Sequence, residues 1–418
     1  MLRQIEGSRA VAEAVALCRP EVICAYPISP QTHIVEALSA IVKSERLKHC
    51  EFVNVESEYA AMSVAIGASA AGARAYTATA SQGLLYMAEA LYNASGLGLP
   101  IVMTVTNRAL GAPINIWNDH SDSMSQRDCG WIQLYVESNQ EASDVHIQAF
   151  KLAEQLSLPV MVCMDGFILT HATERLELPP QRAVDSFLPP FNPRQVLDPA
   201  APVTMGAMVG PEAFTEVRYL AHYKQMQALD LIPEVAAAFE QRFGRPSGGL
   251  LHRYRTHDAE TIVVALGSVL GTIEDVVDEL RAQGVRIGCV GIKTFRPWPA
   301  REVRDTLAHA RRVVTVEKAL AVGIGGVVSQ NLRSALEGTG VEIRTAIAGL
   351  GGRPITKASL HRLFADAIAG RLSEQVTFVD LDRELVEREL ARMLESRLSG
   401  PHAENILRDL GAVAAGPV

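Results

Sequence analysis

The chain has 418 residues, 48% of them hydrophobic and 21% charged, so it can form two or three domains that each bury a core. The net charge of −8 is spread without a basic stripe, which argues against nucleic acid as a partner because phosphate binding needs clustered Lys and Arg. No apolar run reaches the roughly 20 residues of a membrane span, and the first residues lack a secretory core, so we expect a cytoplasmic protein.

The six cysteines contain no Cys-x-x-Cys pair. Iron–sulfur clusters and structural zinc need closely spaced thiolates, which this spacing does not offer. We therefore expect buried, reduced thiols, and neither a metal ion nor a redox cluster bound by this chain. The cysteines are Cys18, Cys24, Cys50, Cys129, Cys163 and Cys289.

Residues 1–178 alternate short apolar strands with amphipathic or Ala-rich helices. This alternation predicts an α/β fold with a parallel sheet and helices on both faces, in which ligands bind beyond the carboxyl ends of the strands. The predicted strands are Glu21–Tyr26, Glu51–Val55, Arg74–Thr79, Pro100–Thr106, Ile132–Tyr135 and Pro159–Met164. Predicted helices between them include Thr32–Ser44, Ser57–Ala71 and Ser143–Ser157.

Eight of the 21 prolines fall between Pro179 and Pro211, which predicts an extended segment, followed by a helix to Phe243. A second α/β unit and a final charged helix, Asp382–Arg397, complete the chain. We divide it into α/β domains at 1–178 and 256–372, a linker and helix at 179–255, and a helical tail at 373–418. The second unit has predicted strands Thr261–Leu266, Arg286–Gly291, Arg311–Val316 and Val341–Ile347, and helices Thr272–Gln283, Ala300–Ala310 and Gly326–Glu337.

Two carboxylates, Glu56 and Glu58, follow the strand at Glu51–Val55 and open a helix rich in Ala, Ser and Gly. Acids in a first helical turn compensate the helix macrodipole, and the spacing alone favours this structural role. The functional alternative is an acid whose surroundings at the strand end tune it for chemistry. The small residues of the helix would let another backbone approach closely, as at a subunit interface.

Ser29 and Pro30 also lie between a strand and a helix. Ser at the N-cap with Pro at the first helical position accounts for this pair structurally. A Ser29 hydroxyl directed at an anionic ligand is a compatible second role.

Two further loops resemble anion sites only weakly. Residues 77–84 join a strand to a helix, whose first backbone amides can bind an anion. The run Gly323–Gly326 lacks the Gly-x-Gly-x-x-Gly spacing of dinucleotide sites, so we interpret its glycines as close packing of a helix on a strand.

Arg108 comes directly after a predicted buried strand and begins a long polar loop that ends at Asp122. Its guanidinium can hold a carboxylate through two hydrogen bonds. Alternatively, Arg108 is a surface residue paired with Asp119 or Asp122. A long polar loop behind a buried strand favours a functional role. His120 in this loop has no second His at ligand spacing, so we do not expect it to bind a metal.

Together these segments resemble the alpha subunit of 2-oxoacid:acceptor oxidoreductases, the family of pyruvate:ferredoxin oxidoreductase. The match runs in order from about Ala25 to Arg353. Its motifs are Tyr26-Pro27-Ile28-Ser29-Pro30, Glu56-Ser57-Glu58, Thr77–Gly83, Asn107-Arg108-Ala109 through Asp122, Gln126–Trp131, Thr294–Pro299, Val316-Glu317-Lys318 and Gly349–Arg353.

The resemblance implies a thiamine-diphosphate pyrimidine-binding-type domain followed by a domain like the transketolase carboxyl-terminal domain. It also implies that Glu58 binds N1′ of the cofactor's aminopyrimidine and that Arg108 binds the carboxylate of the oxoacid. Ser29 would contact the substrate through its hydroxyl. Many relatives have Thr at this position, so the smaller Ser29 leaves the size of the substrate open.

The resemblance also implies partner chains. Thiamine enzymes bind diphosphate and Mg²⁺ through a Gly-Asp-Gly run and a later Asn, whereas Met164-Asp165-Gly166 is the nearest run here and lacks the Asn. A beta subunit would therefore hold the diphosphate and Mg²⁺. Gamma and ferredoxin-like subunits would complete the complex, with [4Fe-4S] clusters on the partner chains. Coenzyme A would accept the acyl group after CO₂ leaves.

Several alternatives stay open at this point. The chain could be the beta-type subunit of a lipoamide-linked 2-oxoacid dehydrogenase complex, although the Arg108–Asp122 and Gly349–Arg353 motifs argue against it. It could also be a non-catalytic scaffolding subunit, which the presence of Glu58 and Arg108 disfavours. The substrate could be pyruvate or phenylglyoxylate, and the final acceptor ferredoxin or NAD.

Overall fold

The structure is a computed structural model that describes residues 2–395 and 400–412. Strands and helices alternate through most of this range. The strands are β1 (Leu2–Glu6), β2 (Val22–Ala25), β3 (Glu51–Asn54), β4 (Ala75–Thr79), β5 (Val102–Asn107), β6 (Ile132–Tyr135), β7 (Val160–Asp165), β8 (Thr173–Glu177), β9 (Leu251–Tyr254), β10 (Thr261–Ala265), β11 (Ile287–Ile292), β12 (Thr294–Arg296), β13 (Arg312–Glu317), β14 (Glu342–Ile347) and β15 (Thr377–Phe378).

The helices have the amphipathic or Ala-rich sequences expected of elements that cover a sheet. They are α1 (Gly7–Leu17), α2 (Thr32–Lys43), α3 (Glu58–Ala70), α4 (Ser81–Tyr86), α5 (Ala88–Gly96), α6 (Ser121–Ser125), α7 (Asn139–Leu156), α8 (Gln181–Phe187), α9 (Phe214–Phe243), α10 (Val269–Ala282), α11 (Ala300–Leu307), α12 (Val328–Ala335), α13 (Lys357–Ile368), α14 (Arg383–Glu395) and α15 (His402–Asp409). In the described ranges, no helix combines the length and the apolar character needed to cross a membrane.

The first sheet has seven strands in the order β12-β6-β7-β5-β4-β2-β3, and all but β12 are parallel. Strands β5 and β7 are buried along their whole length, as expected for central strands covered on both faces. Their register places Asn107 opposite Asp165, so both strands end at the same edge of the sheet. This confirms the predicted parallel α/β class.

The second sheet has six strands in the order β15-β14-β13-β10-β11-β9. Its strands are parallel except β9, which pairs antiparallel with β11. From β10 the chain moves to β11 on one side and then to β13 on the other side. The carboxyl ends of β10 and β13 therefore flank the topological switch point, where open α/β sheets usually bind ligands.

Two pairings in the structure join distant parts of the chain and were not predicted. Strands β1 and β8 form a separate antiparallel pair, from Leu2 opposite Glu177 to Glu6 opposite Thr173. Strand β12 comes after the second sheet has begun, yet it pairs antiparallel with β6 at the edge of the first sheet. Local apolar patterning cannot predict either pairing, because neither has a short connecting turn.

The long helix α9 begins three residues after the predicted start at Pro211 and ends at Phe243 as predicted. Its second half packs on α7 and α8, whereas its first half is largely exposed. Helix α14 begins at Arg383, one residue after the predicted start. The last two positions of the predicted helix, Ser396 and Arg397, lie outside the described residues.

Candidate active site

The carboxyl edge of the first sheet brings the predicted site residues together. Ser29 follows β2, Glu58 follows β3, and Arg108 follows β5. Arg108 contacts Ser29 directly, because its Nη1 donates a hydrogen bond to the Ser29 carbonyl oxygen over 3.0 Å. The loop after β4 contacts the loop after β5, since the Ser81 hydroxyl donates to the Ala109 carbonyl.

Glu58 is the first residue of α3 and only 8% exposed. Ser57 caps the helix, because its hydroxyl oxygen accepts from the Ala60 amide over 3.2 Å. Among the described residues, the Glu58 carboxylate has neither a hydrogen-bond donor nor an ionic partner. A Cβ at Gly83 would lie 2.6 Å from Glu58 Oε1, so glycine is required there. The same Cβ would lie 2.6 Å from Thr79 Oγ1, which is buried and has no hydrogen-bond partner in the part of the chain that the structure describes.

Arg108 is 7% exposed, so it is not a surface residue. Its Nε donates to the Asn115 carbonyl over 3.0 Å. No carboxylate oxygen of the described residues lies within 4.0 Å of a nitrogen of this guanidinium, the distance that defines an ion pair. Burial lowers the pKa of the guanidinium, and the charge of Asp122 acts in the opposite direction. The suggested pairing with Asp119 or Asp122 is therefore wrong. Asp119 instead accepts from the backbone amide of Gly351, and Asp122 accepts from the backbone amide of Arg108 and not from its guanidinium.

Asp122 organises the loops around Arg108, a role that the sequence analysis did not assign to it. Its carboxylate is fully buried and accepts from the amides of Ser81, Arg108 and Ser123, at 2.9, 2.9 and 2.8 Å. The Asn107 side-chain amide adds a fourth bond of 2.8 Å. Burial raises the pKa of Asp122 to about 6 despite these bonds. The carboxylate therefore ties the loops after β4 and β5 to α6.

Ser29 is exposed, and its predicted role as an N-cap is wrong. Helix α2 begins at Thr32, and Gln31 occupies the N-cap position without a side-chain capping bond. The backbone N–H of Gln31 donates a hydrogen bond to the Ile28 carbonyl over 2.8 Å, which closes a turn before the helix starts. The turn leaves Ser29 at the mouth of the site, where its carbonyl holds Arg108.

Asp165, at the end of β7, joins the first sheet to the second α/β unit. It is 1% exposed and accepts hydrogen bonds from His120 Nε2 at 2.6 Å, Lys318 Nζ at 3.0 Å and the Ser268 amide at 3.0 Å. Burial by itself would raise the pKa of Asp165, but Lys318 and His120 hold it well below its usual range. Ser268 follows β10 and Lys318 follows β13, so Asp165 occupies the switch point of the second sheet.

Close packing accounts for Gly326, the last glycine of the run Gly323–Gly326, whereas a Cβ at Gly323 would meet nothing within 4 Å. A Cβ at Gly326 would lie 2.1 Å from Glu317 Oε1, at the end of β13. Glu317 in turn accepts hydrogen bonds from the amides of Val328 and Ser329, the first residues of α12. A side chain at position 326 would therefore displace the acid that caps this helix, and the prediction of close helix–strand packing is confirmed at Gly326.

All six cysteines are free thiols, five of them buried and Cys50 half-buried. Burial raises the pKa of Cys24 and of Cys129 to about 12. In the described part of the chain, one group of side chains has metal-ligand spacing, Glu6, His33 and His171. Both histidines are exposed, and His33 Nδ1 is hydrogen-bonded to Glu6 over 2.7 Å.

Two protein families match the chain. The family described as pyruvate flavodoxin/ferredoxin oxidoreductase, thiamine diphosphate-binding, matches residues 13–237. The family described as pyruvate:ferredoxin oxidoreductase core domain II matches residues 259–360. The first match alone covers more than half of the chain and includes Ser29, Glu58 and Arg108.

Curated relatives match nearly the whole chain. The pyruvate synthase subunit PorA of Methanosarcina barkeri is 46% identical over 390 residues, which cover 91% of this chain and 97% of the relative. The PorA subunit of Thermotoga maritima is 42% identical and covers 88% of this chain and 95% of its own length. The ketoisovalerate oxidoreductase subunit VorA of Pyrococcus abyssi is 37% identical, over 91% of this chain and 98% of that subunit.

The fold is also found in a solved structure. The 2-oxoglutarate:ferredoxin oxidoreductase from Magnetococcus marinus, with 2-oxoglutarate, coenzyme A and succinyl-CoA bound, superposes with a TM-score of 0.69 at 19% identity. The superposition covers 89% of this chain and 65% of that longer chain. Family match, identity and fold agree, and the chain belongs to the alpha subunits of the 2-oxoacid:ferredoxin oxidoreductases.

Proposed function

We propose that the chain supplies half of the active site of a thiamine-diphosphate-dependent enzyme that converts a 2-oxoacid and coenzyme A to acyl-coenzyme A and CO₂. The observation that carries the proposal is a pair of buried, oppositely charged residues at one sheet edge, Glu58 and Arg108. Neither has an ionic partner among the described residues. Because unpaired buried charges are costly, ligands that complete both residues explain their presence.

Glu58 fits the aminopyrimidine of thiamine diphosphate. Its free carboxylate faces the space that Gly83 keeps open, with the unpartnered Thr79 hydroxyl beside it. We assign to Glu58 the hydrogen bond with N1′ of the aminopyrimidine. A proton held at this contact makes the exocyclic amino group across the ring more acidic, so that this group can give up a proton and then serve as the base. When bound, the cofactor supplies the carbon nucleophile that adds to the 2-keto group.

Arg108 fits the carboxylate of the oxoacid. Its Nε and Nη1 are fixed by the carbonyls of Asn115 and Ser29, while Nη2 has no partner in the described residues. A guanidinium held in this way offers N–H groups to a carboxylate without first losing rotamer freedom. The Ser29 hydroxyl is exposed at the same place and supplies a second donor for the substrate.

The remaining parts of the reaction are assigned to partner chains in the cytoplasm. We place the diphosphate and Mg²⁺ on a beta subunit, because the nearest run here, Met164-Asp165-Gly166, has its acid engaged by Lys318 and His120. We place the [4Fe-4S] clusters, which take up two electrons one at a time, on partner subunits. Gamma and ferredoxin-like subunits complete the proposed complex, with ferredoxin or NAD as the final acceptor.

For the substrate, pyruvate is our first choice, because the PorA relatives named as pyruvate synthase subunits are 41–46% identical. Phenylglyoxylate remains the alternative suggested by the small Ser29. The test is to purify the native complex and compare its reduction of ferredoxin with pyruvate, 2-oxoisovalerate, phenylglyoxylate and 2-oxoglutarate. A complex that prefers phenylglyoxylate would overturn the choice of pyruvate.

The isolated chain is expected to bind thiamine diphosphate weakly and to be inactive, because it holds only the pyrimidine half of the site. Calorimetry with and without Mg²⁺ measures this directly, and adding the beta subunit should restore tight binding. Tight, Mg²⁺-dependent binding to the isolated chain would contradict the half-site.

Arg108→Lys is expected to preserve assembly and cofactor binding and to lower kcat/KM for the oxoacid by roughly 10- to 150-fold, the cost of one charge-assisted hydrogen bond. A lysine ammonium is a point charge that cannot reproduce the planar contact. Because the carboxylate leaves as CO₂, reactions that start from acyl-coenzyme A should suffer much less. Arg301→Lys, on the exposed face of α11, is the matched control. Unchanged oxoacid kinetics in Arg108→Lys would rule out the clamp.

A further inference from the structure

A cavity of about 380 Å³ lies outside the active site. It is lined by residues of two sequence motifs that have no role in the proposed reaction. Trp131 ends the motif Gln126–Trp131, and Arg296 and Trp298 belong to Thr294–Pro299. We call this cavity the amino-edge pocket and define it by Arg127, Trp131, Arg218, Gln225, Arg296 and Trp298. Its volume falls in the range of roughly 300–1,000 Å³ that small-molecule sites occupy.

The amino-edge pocket lies on the opposite side of the first sheet from Glu58 and Arg108. Trp131 directly precedes β6, and Leu158, also in the wall, precedes β7. Strand β7 has six residues, and at about 3.3 Å per residue it separates the two edges by roughly 20 Å. A ligand in this pocket therefore does not contact the proposed catalytic residues.

The wall of the pocket has surplus positive charge. Arg218 on α9 and Arg296 on β12 have no carboxylate within ion-pair distance among the described residues. Arg127 pairs with Asp128, the one acid that lines the pocket, over a long 3.7 Å, so the positive charges outnumber the negative one. The Arg296 guanidinium is held in place, since it lies 4.3 Å above the Phe295 ring and donates to the Asn331 side chain over 3.3 Å. Fixed and unpaired guanidinium groups are the donors that proteins use for phosphate.

The wall also contains two tryptophans and two buried polar atoms that have no hydrogen-bond partner among the described residues. Trp131 is buried and its indole nitrogen donates to the Leu91 carbonyl, whereas the buried indole nitrogen of Trp298 has no partner in the described residues. Gln225 donates to the Gly130 carbonyl, but its own side-chain oxygen is likewise unpartnered. Aromatic faces beside arginines suit a planar ring that carries phosphate.

We propose that the amino-edge pocket binds a nucleoside phosphate, with the phosphate on Arg218 and Arg296 and the base against Trp298. Such a ligand bridges the exposed first half of α9 to β12, the strand that the second half of the chain adds to the first sheet. The ligand binds away from the catalytic residues and regulates the complex as an effector; it is not a reactant. Adenine nucleotides have this chemistry, either free or as the nucleotide end of coenzyme A.

Calorimetry on the purified complex tests the proposal with ADP, AMP, coenzyme A, adenosine and inorganic phosphate as probes. We expect a nucleoside phosphate to bind once per chain and to lose on the order of tenfold or more in affinity with Arg218→Gln or Arg296→Gln. Arg218 is exposed on its helix, so its replacement leaves the fold intact. Arg301→Gln, 88% exposed and outside the pocket, is the control and should bind normally.

Two further arms identify the source of the nucleotide. If coenzyme A displaces ADP from the wild type, its nucleotide end enters the amino-edge pocket. In that case an unchanged KM for coenzyme A in Arg218→Gln, measured at saturating oxoacid, supports an effector site distinct from the acyl-acceptor site. ADP that binds without competition from coenzyme A supports a free nucleotide. The proposal fails if no nucleotide binds the complex, or if binding is insensitive to both substitutions.

Discussion

Glu58→Gln in the assembled complex is expected to leave assembly intact and to lower turnover by about 10²–10⁴-fold, the usual value of one acid–base group. The amide has nearly the size of the carboxylate but cannot take part in holding the proton at N1′. Because no described residue hydrogen-bonds to the Glu58 carboxylate, the substitution removes no internal side-chain bond, and stability should change little. The direct measurement is the rate of hydrogen–deuterium exchange at C2 of the bound thiazolium, which should fall together with turnover.

Glu56→Gln is the matched control for this experiment. Glu56 lies two residues earlier at the same strand–helix junction, but its side chain is exposed. We expect wild-type turnover and exchange in Glu56→Gln. Normal C2 exchange in Glu58→Gln would remove Glu58 from the mechanism, and equal losses in both variants would indicate a general effect of charge at this junction.

Asp165→Asn is expected to destabilise the chain by roughly 3–5 kcal/mol, the cost of breaking a buried ion pair on one side. Lys318, only 5% exposed, would then be a buried cation without its carboxylate. Chemical unfolding followed by circular dichroism measures the change. Asp305→Asn is the control, because Asp305 is exposed and its contact with Arg301 is 3.8 Å long, so its loss should cost well under about 1 kcal/mol.

A double variant makes this test more specific. If Asp165 and Lys318 act as a pair, Asp165→Asn combined with Lys318→Met should cost much less than the sum of the single changes. Additive costs would show that the two residues act independently.

The same ion pair predicts a dependence on pH. The folded-state pKa of Asp165 is lowered, so its contribution to stability is fully present above the unfolded pKa of about 3.9 and is lost as the pH falls through the folded value. The stability difference between wild type and Asp165→Asn should therefore shrink below about pH 4. A constant difference down to strongly acidic pH would contradict this assignment.

The individual strands and helices were predictable because the spacing of their apolar residues matches the repeat of a strand or of a helix. The prediction of β6 at Ile132–Tyr135 is correct at both ends, and the other central strands differ by one or two residues. Pairings between distant segments, β1 with β8 and β12 with β6, leave no local signal. The division at residues 178, 255 and 372 stays a prediction, although the structure pairs β9 (Leu251–Tyr254) with the second unit.

The position of the candidate site residues at one sheet edge was predictable, whereas their hydrogen bonds were not; their roles stay predictions. Position after a strand end identified Ser29, Glu58 and Arg108 as neighbours, since parallel strands end at one edge. The same rule could not assign Asp122, whose four bonds go mainly to backbone amides and therefore depend on loop conformation. No pattern in the sequence indicated that Asp165 would accept hydrogen bonds from Ser268 and Lys318 of the second unit.

The position of Asp165 at the switch point of the second sheet makes the two α/β units depend on each other. Asp165 belongs to the first unit but occupies the position where the second sheet would bind a ligand. Lys318 and Ser268 of the second unit hydrogen-bond to it there. A fragment that stopped before the second unit would leave this acid without Lys318 and Ser268, and would expose the edge of β6 that β12 covers. We therefore expect neither α/β unit to be stable when it is expressed alone or exchanged for another, unless both contacts are replaced.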